Sequence, residues 1–328
     1  MEKPYAARML RSMTRAIAGF FLMIAATSAP AQHAPLVIPP STPPPLPIPD
    51  ETLLQLGAVE QRMTVPVMIG ARGPWHFVID TGAERTVIAR ELAGVLGLTA
   101  GPGARIVALT GIMPVETAII PALRVSSLPP RGVVAPTLAA QHIGAQGLLG
   151  IDALQDHAVT IDFDRDQMTL IPAPRRARKG AADEIVITAR SRLGQLIVTD
   201  AAWRGTRIAV VIDTGTPYSI GNGALLNAMT RRQRTLPAVT LTSVTGQSLV
   251  APSLLADDLV VGGIRFAGVP MGFADSAAFD RLGLGDKPAL LLGMDVLRLF
   301  RRVAIDFPNR QIRFLNHRTD RGRPAWPG

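Results

Sequence analysis

The sequence predicts an all-β protein made of two lobes about a pseudo-twofold axis, and three repeated stretches predict it. The run Phe77-Val78-Ile79-Asp80-Thr81-Gly82-Ala83 is matched by Val210-Val211-Ile212-Asp213-Thr214-Gly215-Thr216. The run Gly147-Leu148-Leu149-Gly150-Ile151-Asp152-Ala153-Leu154 is matched by Leu290-Leu291-Leu292-Gly293-Met294-Asp295-Val296-Leu297. Val159-Thr160-Ile161-Asp162-Phe163 is matched by Val303-Ala304-Ile305-Asp306-Phe307. Equivalent positions are 133 residues apart at the first motif (80 to 213), 143 at the second (150 to 293) and 144 at the third (162 to 306). The order is kept and the added residues fall between the first and second motifs, the mark of a duplicated domain with insertions in its second copy. Two copies are too few for a solenoid.

The elements follow in order. Residues 1–31 read as an export signal: Lys3, Arg8, Arg11 and Arg15 precede an apolar core from Ala16 to Thr27, and Ala29-Pro30-Ala31 offers a small-residue cleavage site. The core is too short for an ordinary spanning helix; uncleaved, it reads as an amino-terminal membrane anchor. The expectation is an exported, periplasmic protein whose amino terminus lies near a membrane. Residues 32–57 form a proline-rich, semi-rigid linker.

Lobe one is expected over 58–172. Met63–Ile69 and Trp75–Ile79 read as strands about a turn at Gly70–Pro74, and Arg85–Ile88 as a further strand. Ala89–Leu96 has helical spacing and stops at Gly97. Arg105–Leu109 and Met113–Ile120 flank Thr110-Gly111 as a hairpin, with short strands at Leu123–Val125 and Val133–Val134. Short strands punctuated by turns are the all-β signal. Residues 173–183, with Arg175-Arg176-Ala177-Arg178-Lys179, read as a solvated interlobe linker. Lobe two is expected over 184–316, with strands at Ile185–Ile187, Leu196–Val198 and Arg207–Ile212 and a helix at Gly223–Met229. Thr245-Gly246 forms its hairpin turn, and Phe273–Lys287 reads as a helical insertion at the cleft mouth. Ile312–Leu315 is a last strand at the lobe interface, and 317–328 a polar tail.

Composition narrows the function. The chain has 328 residues and is 48% hydrophobic, enough for two domains with cores. Its formal charge of +9 comes from scattered arginines, and with 5% aromatic residues there is no stacking platform for nucleic acid. Cysteine is absent, which excludes disulfides, thiolate ligands and a thiol nucleophile. His33, His76, His142, His157 and His317 lack metal-ligand spacing. His76, four residues before Asp80, reads as a partly buried strand residue. Gly-x-Ser-x-Gly and phosphate-loop motifs are missing. No metal or cofactor is expected.

What remains are two carboxylates, Asp80 and Asp213, each at the exit of a buried strand. Two Asp-Thr-Gly motifs, each answered downstream by two apolar residues and Gly before a short helix, resemble the pepsin and retroviral protease superfamily of aspartic proteases. The chain is most similar to bacterial periplasmic retropepsin-like aspartyl proteases over about residues 58–316, with two β-barrel lobes fused in one chain as an intramolecular pseudo-dimer. The resemblance implies a monomeric aspartic endopeptidase acting on polypeptides, with Asp80 and Asp213 as its catalytic pair. The alternative is a non-catalytic peptide-binding module on the same fold. It further implies that Thr81 and Thr214 bond across to the opposite loop, and that Gly82 and Gly215 let backbone N–H groups reach the carboxylates. The Leu-Leu-Gly runs would pack beneath the loops, and the Thr216 hydroxyl would bond Asp213, making the pair asymmetric. Thr110-Gly111 and Thr245-Gly246 become candidate flap tips. Tyr5 and Tyr218 are the only tyrosines, so neither hairpin carries the tyrosine of pepsin-type flaps. Asp152 and Asp295 are expected in first helical turns, and Asp162 and Asp306 at strand ends, all structural.

Overall fold

The computed structural model describes residues 52–55, 57–59, 62–181, 183–229 and 234–316; the expected signal, most of the proline-rich linker and the expected tail lie outside the described residues. Strands dominate, and six of them in the first half close on themselves. Arg62–Ile69 pairs with Arg72–Ile79, then Gly147–Leu149, Val87–Ala89, Arg131–Leu138 and Thr117–Arg124 follow, and the last returns to the first through Met68↔Arg124 and Ile69↔Leu123. Closure of the ring removes its edges. Phe77, Val78, Ile88, Ile120 and Leu149 on these strands have little or no exposure.

The second half repeats this order. Gln195–Val198, Ala209–Ile212, Ala289–Leu292, Ile220–Gly221, Val269–Phe273 and Ser248–Ala256 are consecutive neighbours, flanked by Arg190–Arg192 and Arg234–Thr242. Here the long hairpin bends: Ala201–Trp203 and Thr206–Arg207 leave the main sheet and pair with Leu259–Val261 and Ile264–Phe266 as a separate four-stranded sheet. Trp203 anchors the bend, fully buried, with its indole N–H donating to the Asp257 carbonyl at 2.8 Å and its ring stacked 6.3 Å from Phe273. The expected strand Arg207–Ile212 is accordingly broken at Ile208.

A third sheet draws on both halves: Thr52–Gln55, Gln167–Pro172, His157–Asp162, Arg302–Asp306, Gln311–Leu315 and Glu184–Thr188, all antiparallel. At its centre the third sequence repeat pairs with itself. Thr160 sits opposite its own equivalent Ala304, with Val159↔Ile305 and Ile161↔Val303 on either side. That self-pairing marks a pseudo-twofold axis between the two strands. The final strand therefore lies in a sheet common to both halves, and Thr52–Gln55, inside the stretch expected to be linker, joins its edge.

Local readings change. The expected strand Met113–Ile120 is split at Glu116, and its second part runs on through Leu123 to Arg124. Arg85 and Thr86 are loop, and the strand is Val87–Ala89, because the Asp152 carboxylate takes both the backbone N–H and the hydroxyl of Thr86. The helix begins at Arg90 and ends at Leu96, with Gly97 at φ 63° in the left-handed conformation that glycine adopts most cheaply. His76 is exposed rather than partly buried. The expected insertion forms a short helix, Ala277–Arg281, capped by the Ser276 hydroxyl, with Phe279, Leu282 and Leu284 packed inward.

Candidate active site

Each Asp-Thr-Gly loop hangs from the end of a central strand. The Asp80 N–H donates to the Leu149 carbonyl at 3.0 Å, and the Asp213 N–H to the Leu292 carbonyl at 3.0 Å. Below, the Ile151 N–H donates to the Ala83 carbonyl (2.9 Å) and the Met294 N–H to the Thr216 carbonyl (3.0 Å). The Leu-Leu-Gly runs thus lie against the loops, and their glycines permit it: a Cβ on Gly293 would come within 2.6 Å of the Tyr218 carbonyl carbon, and one on Gly150 would overlap the Arg85 carbonyl. Asp152 and Asp295 stand in the first turns of the helices that follow. Asp295 holds the Ser219 N–H and hydroxyl at 3.0 and 2.8 Å, as Asp152 holds Thr86. Burial pushes Asp295 up to about 6, against the lowering effect of those bonds. Asp162 and Asp306 close strand-end turns by accepting from the Arg165 and Asn309 N–H groups.

The two loops interlock. The Thr81 hydroxyl donates to the Ile212 carbonyl at 2.8 Å and accepts the Thr214 N–H at 3.1 Å; the Thr214 hydroxyl donates to the Ile79 carbonyl at 2.9 Å and accepts the Thr81 N–H at 3.2 Å. All four bonds are buried, so the two hydroxyls, two N–H groups and two carbonyls are satisfied where water cannot reach. A threonine serves because one hydroxyl donates and accepts at once.

The carboxyls meet above this lock. Asp80 Oδ1 accepts the N–H groups of Gly82 and Ala83, each at 2.9 Å, and Asp213 Oδ1 accepts that of Gly215 at 2.8 Å. The Asp80 and Asp213 carboxyls lie close enough to hydrogen-bond. A Cβ on Gly82 would fall 2.6 Å from the Asp213 carboxyl, and one on Gly215 would overlap that of Asp80. Each glycine thus clears space for the opposite lobe's acid. Asp213 is 8% exposed, and its carboxyl is pushed up to about 8, first by burial and then by the negative charge and hydrogen bond of Asp80; the N–H groups of Gly215 and Thr216 pull the other way. Asp80 is less buried. The pair is therefore asymmetric, but not for the reason the sequence suggests. The Thr216 hydroxyl donates to the Tyr218 carbonyl at 3.0 Å instead of Asp213; it is the Thr216 N–H that reaches the carboxylate. Pro217 lies between Thr216 and Tyr218, where the chain turns back on itself.

The hairpins also meet. Thr110 and Gly111 lie at the tip joining Ala104–Ala108 to Gly111–Val115, and the Thr110 hydroxyl bonds Gln247 Oε1 at 2.8 Å. In the second hairpin Gln247 makes this contact. Thr245 turns inward, its hydroxyl 3.0 Å from that of Ser243, and Gly246 passes over the His142 ring, where a Cβ would clash.

Other bridging residues escaped the sequence reading. The Gln195 side-chain amide donates to the Gly82 carbonyl, and the Arg281 guanidinium binds the Glu84 carboxylate, four residues past Asp80. Only their types are visible in the sequence; nothing local signals their partners.

Two interlocked Asp-Thr-Gly loops under a closed barrel and its pseudo-symmetric repeat define a retropepsin-like protein with two fused lobes. The chain belongs to the aspartyl protease family, whose model, described as "Aspartyl protease", matches it twice, over residues 65–153 and 199–296. No curated protein matches the chain significantly.

Proposed function

We propose that the protein is an aspartic endopeptidase that hydrolyses polypeptides with a water activated between Asp80 and Asp213. The observation that carries this is the facing of the two carboxyls, one of them buried and pushed to about 8, in a chain of this family. Two acids in contact resist double ionisation, and aspartic proteases are the general example of a pair holding one proton. Burial favours that proton on Asp213. Asp80, held by the Gly82 and Ala83 N–H groups, is then the base.

Asp80 removes a proton from water as its oxygen bonds to the peptide carbonyl carbon, and Asp213 gives its proton to the carbonyl oxygen. The resulting gem-diol collapses. One hydroxyl proton returns to the pair, the nitrogen takes a proton from it, and the C–N bond breaks to leave a carboxylic acid and an amine. The pair ends with one proton, as it began. No metal or covalent intermediate enters this sequence of steps. The hairpin tips around Thr110, Gly111, Thr245 and Gly246 close over the substrate.

The test is digestion of unfolded casein by the wild type and by Asp80→Asn and Asp213→Asn. Turnover is expected in the first and a loss of at least about a hundredfold in each variant, by analogy with other catalytic groups that act as a unit. A folded wild type that binds casein without cleaving it supports the peptide-binding module instead.

Export follows from the basic, apolar and small-residue pattern of residues 1–31. No helix among the described residues is long and apolar enough to cross a membrane. Amino-terminal sequencing of the mature protein should begin after Ala31; an intact Met1 on membrane-bound protein supports the anchor.

A further inference from the structure

Between the two hairpin tips and the start of the Ala277–Arg281 helix lies an open depression of about 630 Å³. Leu109, Thr110 and Gly111 line it from the first hairpin, Gln247 and Leu249 from the second, and Asp275 from the segment before the helix. Asp275 is the one ionisable residue among those that line it. Its position is built rather than incidental. Asp275 Oδ1 accepts the Gly223 N–H at 2.8 Å, and the neighbouring Ala274 N–H donates to the Gly221 carbonyl at 2.9 Å. A Cβ on Gly223 would lie 2.7 Å from both carboxylate oxygens, so glycine makes room for this acid. The carboxylate is exposed, and no ion pair engages it among the described residues. The nearby cation Arg281 is already bound to Glu84.

We infer that Asp275 makes this depression a subsite for a cationic side chain, lysine or arginine, of the bound polypeptide. The inference rests on the endopeptidase reading and adds a substrate class to it. The depression has room for a long side chain, Leu109 and Leu249 offer apolar surface for its stem, and Asp275 receives its charge. The Thr110 hydroxyl and the Gln247 amide supply further acceptors at the rim. In a chain of net charge +9, an anionic group on this wall sets a preference that the overall field would not. An exposed ion pair of this kind supports selectivity of about twofold to fivefold, not an absolute requirement.

The experiment is digestion of a mixed peptide library with mass-spectrometric reading of the cleaved ends, for wild type, Asp275→Asn and Asp275→Lys. The wild type should enrich Lys and Arg at one position near the cleaved bond. Asp275→Asn should lower that enrichment about twofold to fivefold, and Asp275→Lys should move the preference to Asp and Glu at the same position. Equal enrichment in wild type and Asp275→Asn, or none for cations at any position, overturns the inference. If the folded wild type cleaves nothing, the endopeptidase reading fails, and the subsite is judged by binding alone. Fluorescence anisotropy then compares a lysine peptide with its methionine counterpart on Asp213→Asn and on the Asp213→Asn/Asp275→Asn double variant. A lysine-to-methionine affinity ratio that falls on removal of Asp275 supports the subsite, and an unchanged ratio overturns it.

Discussion

Gly215 faces the Asp80 carboxyl across the lobe boundary with no space for a methyl group between them, and Gly82 faces Asp213 in the same way. The glycines of the two motifs therefore serve the opposite lobe's acid as well as their own turn. Gly82→Ala or Gly215→Ala must push a carboxyl aside or part the loops. Overpacking of this kind costs about 1–3 kcal/mol, and displacing a reacting group by about 1 Å costs on the order of a hundredfold in rate. Casein turnover with thermal unfolding measures both. Normal turnover in either variant would contradict the geometry of the facing pair.

The Thr81–Thr214 lock predicts a strongly non-additive mutant pair. Thr81→Ala removes the donor to the Ile212 carbonyl and the acceptor of the Thr214 N–H, and Thr214→Ala does the same at Ile79 and Thr81. Orphaning two buried groups costs about 2–4 kcal/mol in each variant. Thr→Ser keeps the hydroxyl and should cost about 1 kcal/mol, chiefly from the lost methyl. The double alanine variant should lose less than the two singles together, because the network fails as one unit. Urea unfolding of the full cycle decides; simple additivity would mean that the two threonines act independently.

The parts of this site that repeat in the sequence were legible in it. The Asp-Thr-Gly and Leu-Leu-Gly motifs stand at the ends of buried strands, with glycines that other parts of the chain approach closely, and burial with close approach restricts residue choice locally. The third repeat carries a further signal, since Val159–Asp162 and Val303–Asp306 lie in the strands that pair across the axis. Contacts between unlike segments left no pattern. Gln195 and Gly82 are 113 residues apart, Arg281 and Glu84 197; the first contact ends on a backbone carbonyl and the second joins two common charged residues. The role expected of the Thr216 hydroxyl fails because a hydroxyl near a carboxylate has several acceptors in reach, and the bend at Pro217 sends it to Tyr218. Thr52–Gln55 was hidden by the proline-rich stretch before it; its edge pairing with Gln167–Leu170 depends on a strand more than a hundred residues away.

Acid sensitivity should come from His157. Its ring nitrogen Nε2 lies 2.8 Å from the buried Ser126 hydroxyl, and that oxygen already accepts the Leu128 N–H, so the hydroxyl proton is available to donate to a neutral imidazole. Burial holds the His157 pKa below its ordinary 6.5, Asp156 opposes the shift, and Arg131 adds to it. As pH falls below 6.5 the unfolded chain takes up this proton before the folded one does. Stability from this group is thus fully present above 6.5 and declines as pH drops through the folded value. Urea unfolding of wild type and His157→Gln between pH 8 and 5 should show the stability of wild type relative to the variant falling as the pH drops. Parallel pH dependences in the two proteins would remove His157 as the cause.

The active pair should pull stability in the opposite direction. The folded pKa of Asp213 is raised from 3.8 to about 8, chiefly by burial and next by Asp80. Between those values the folded protein keeps a proton that the unfolded chain has released. Folding is therefore favoured at the acid end of this window, and the contribution shrinks as pH rises toward 8. Asp213→Asn removes the titration while keeping the side chain's shape and its acceptor oxygen for the Gly215 N–H. Its melting temperature should match that of wild type near pH 4 and exceed it at pH 7 to 8. Asp80→Asn removes the charge of Asp80 but leaves Asp213 buried, the largest cause of the shift, so its gain at neutral pH should be smaller. The measurement is thermal unfolding of all three proteins across pH 4 to 8. A wild type that is the most stable of the three at pH 8 would show that the facing carboxyls are not strained against each other, and the shared proton in the proposed reaction would lose its basis.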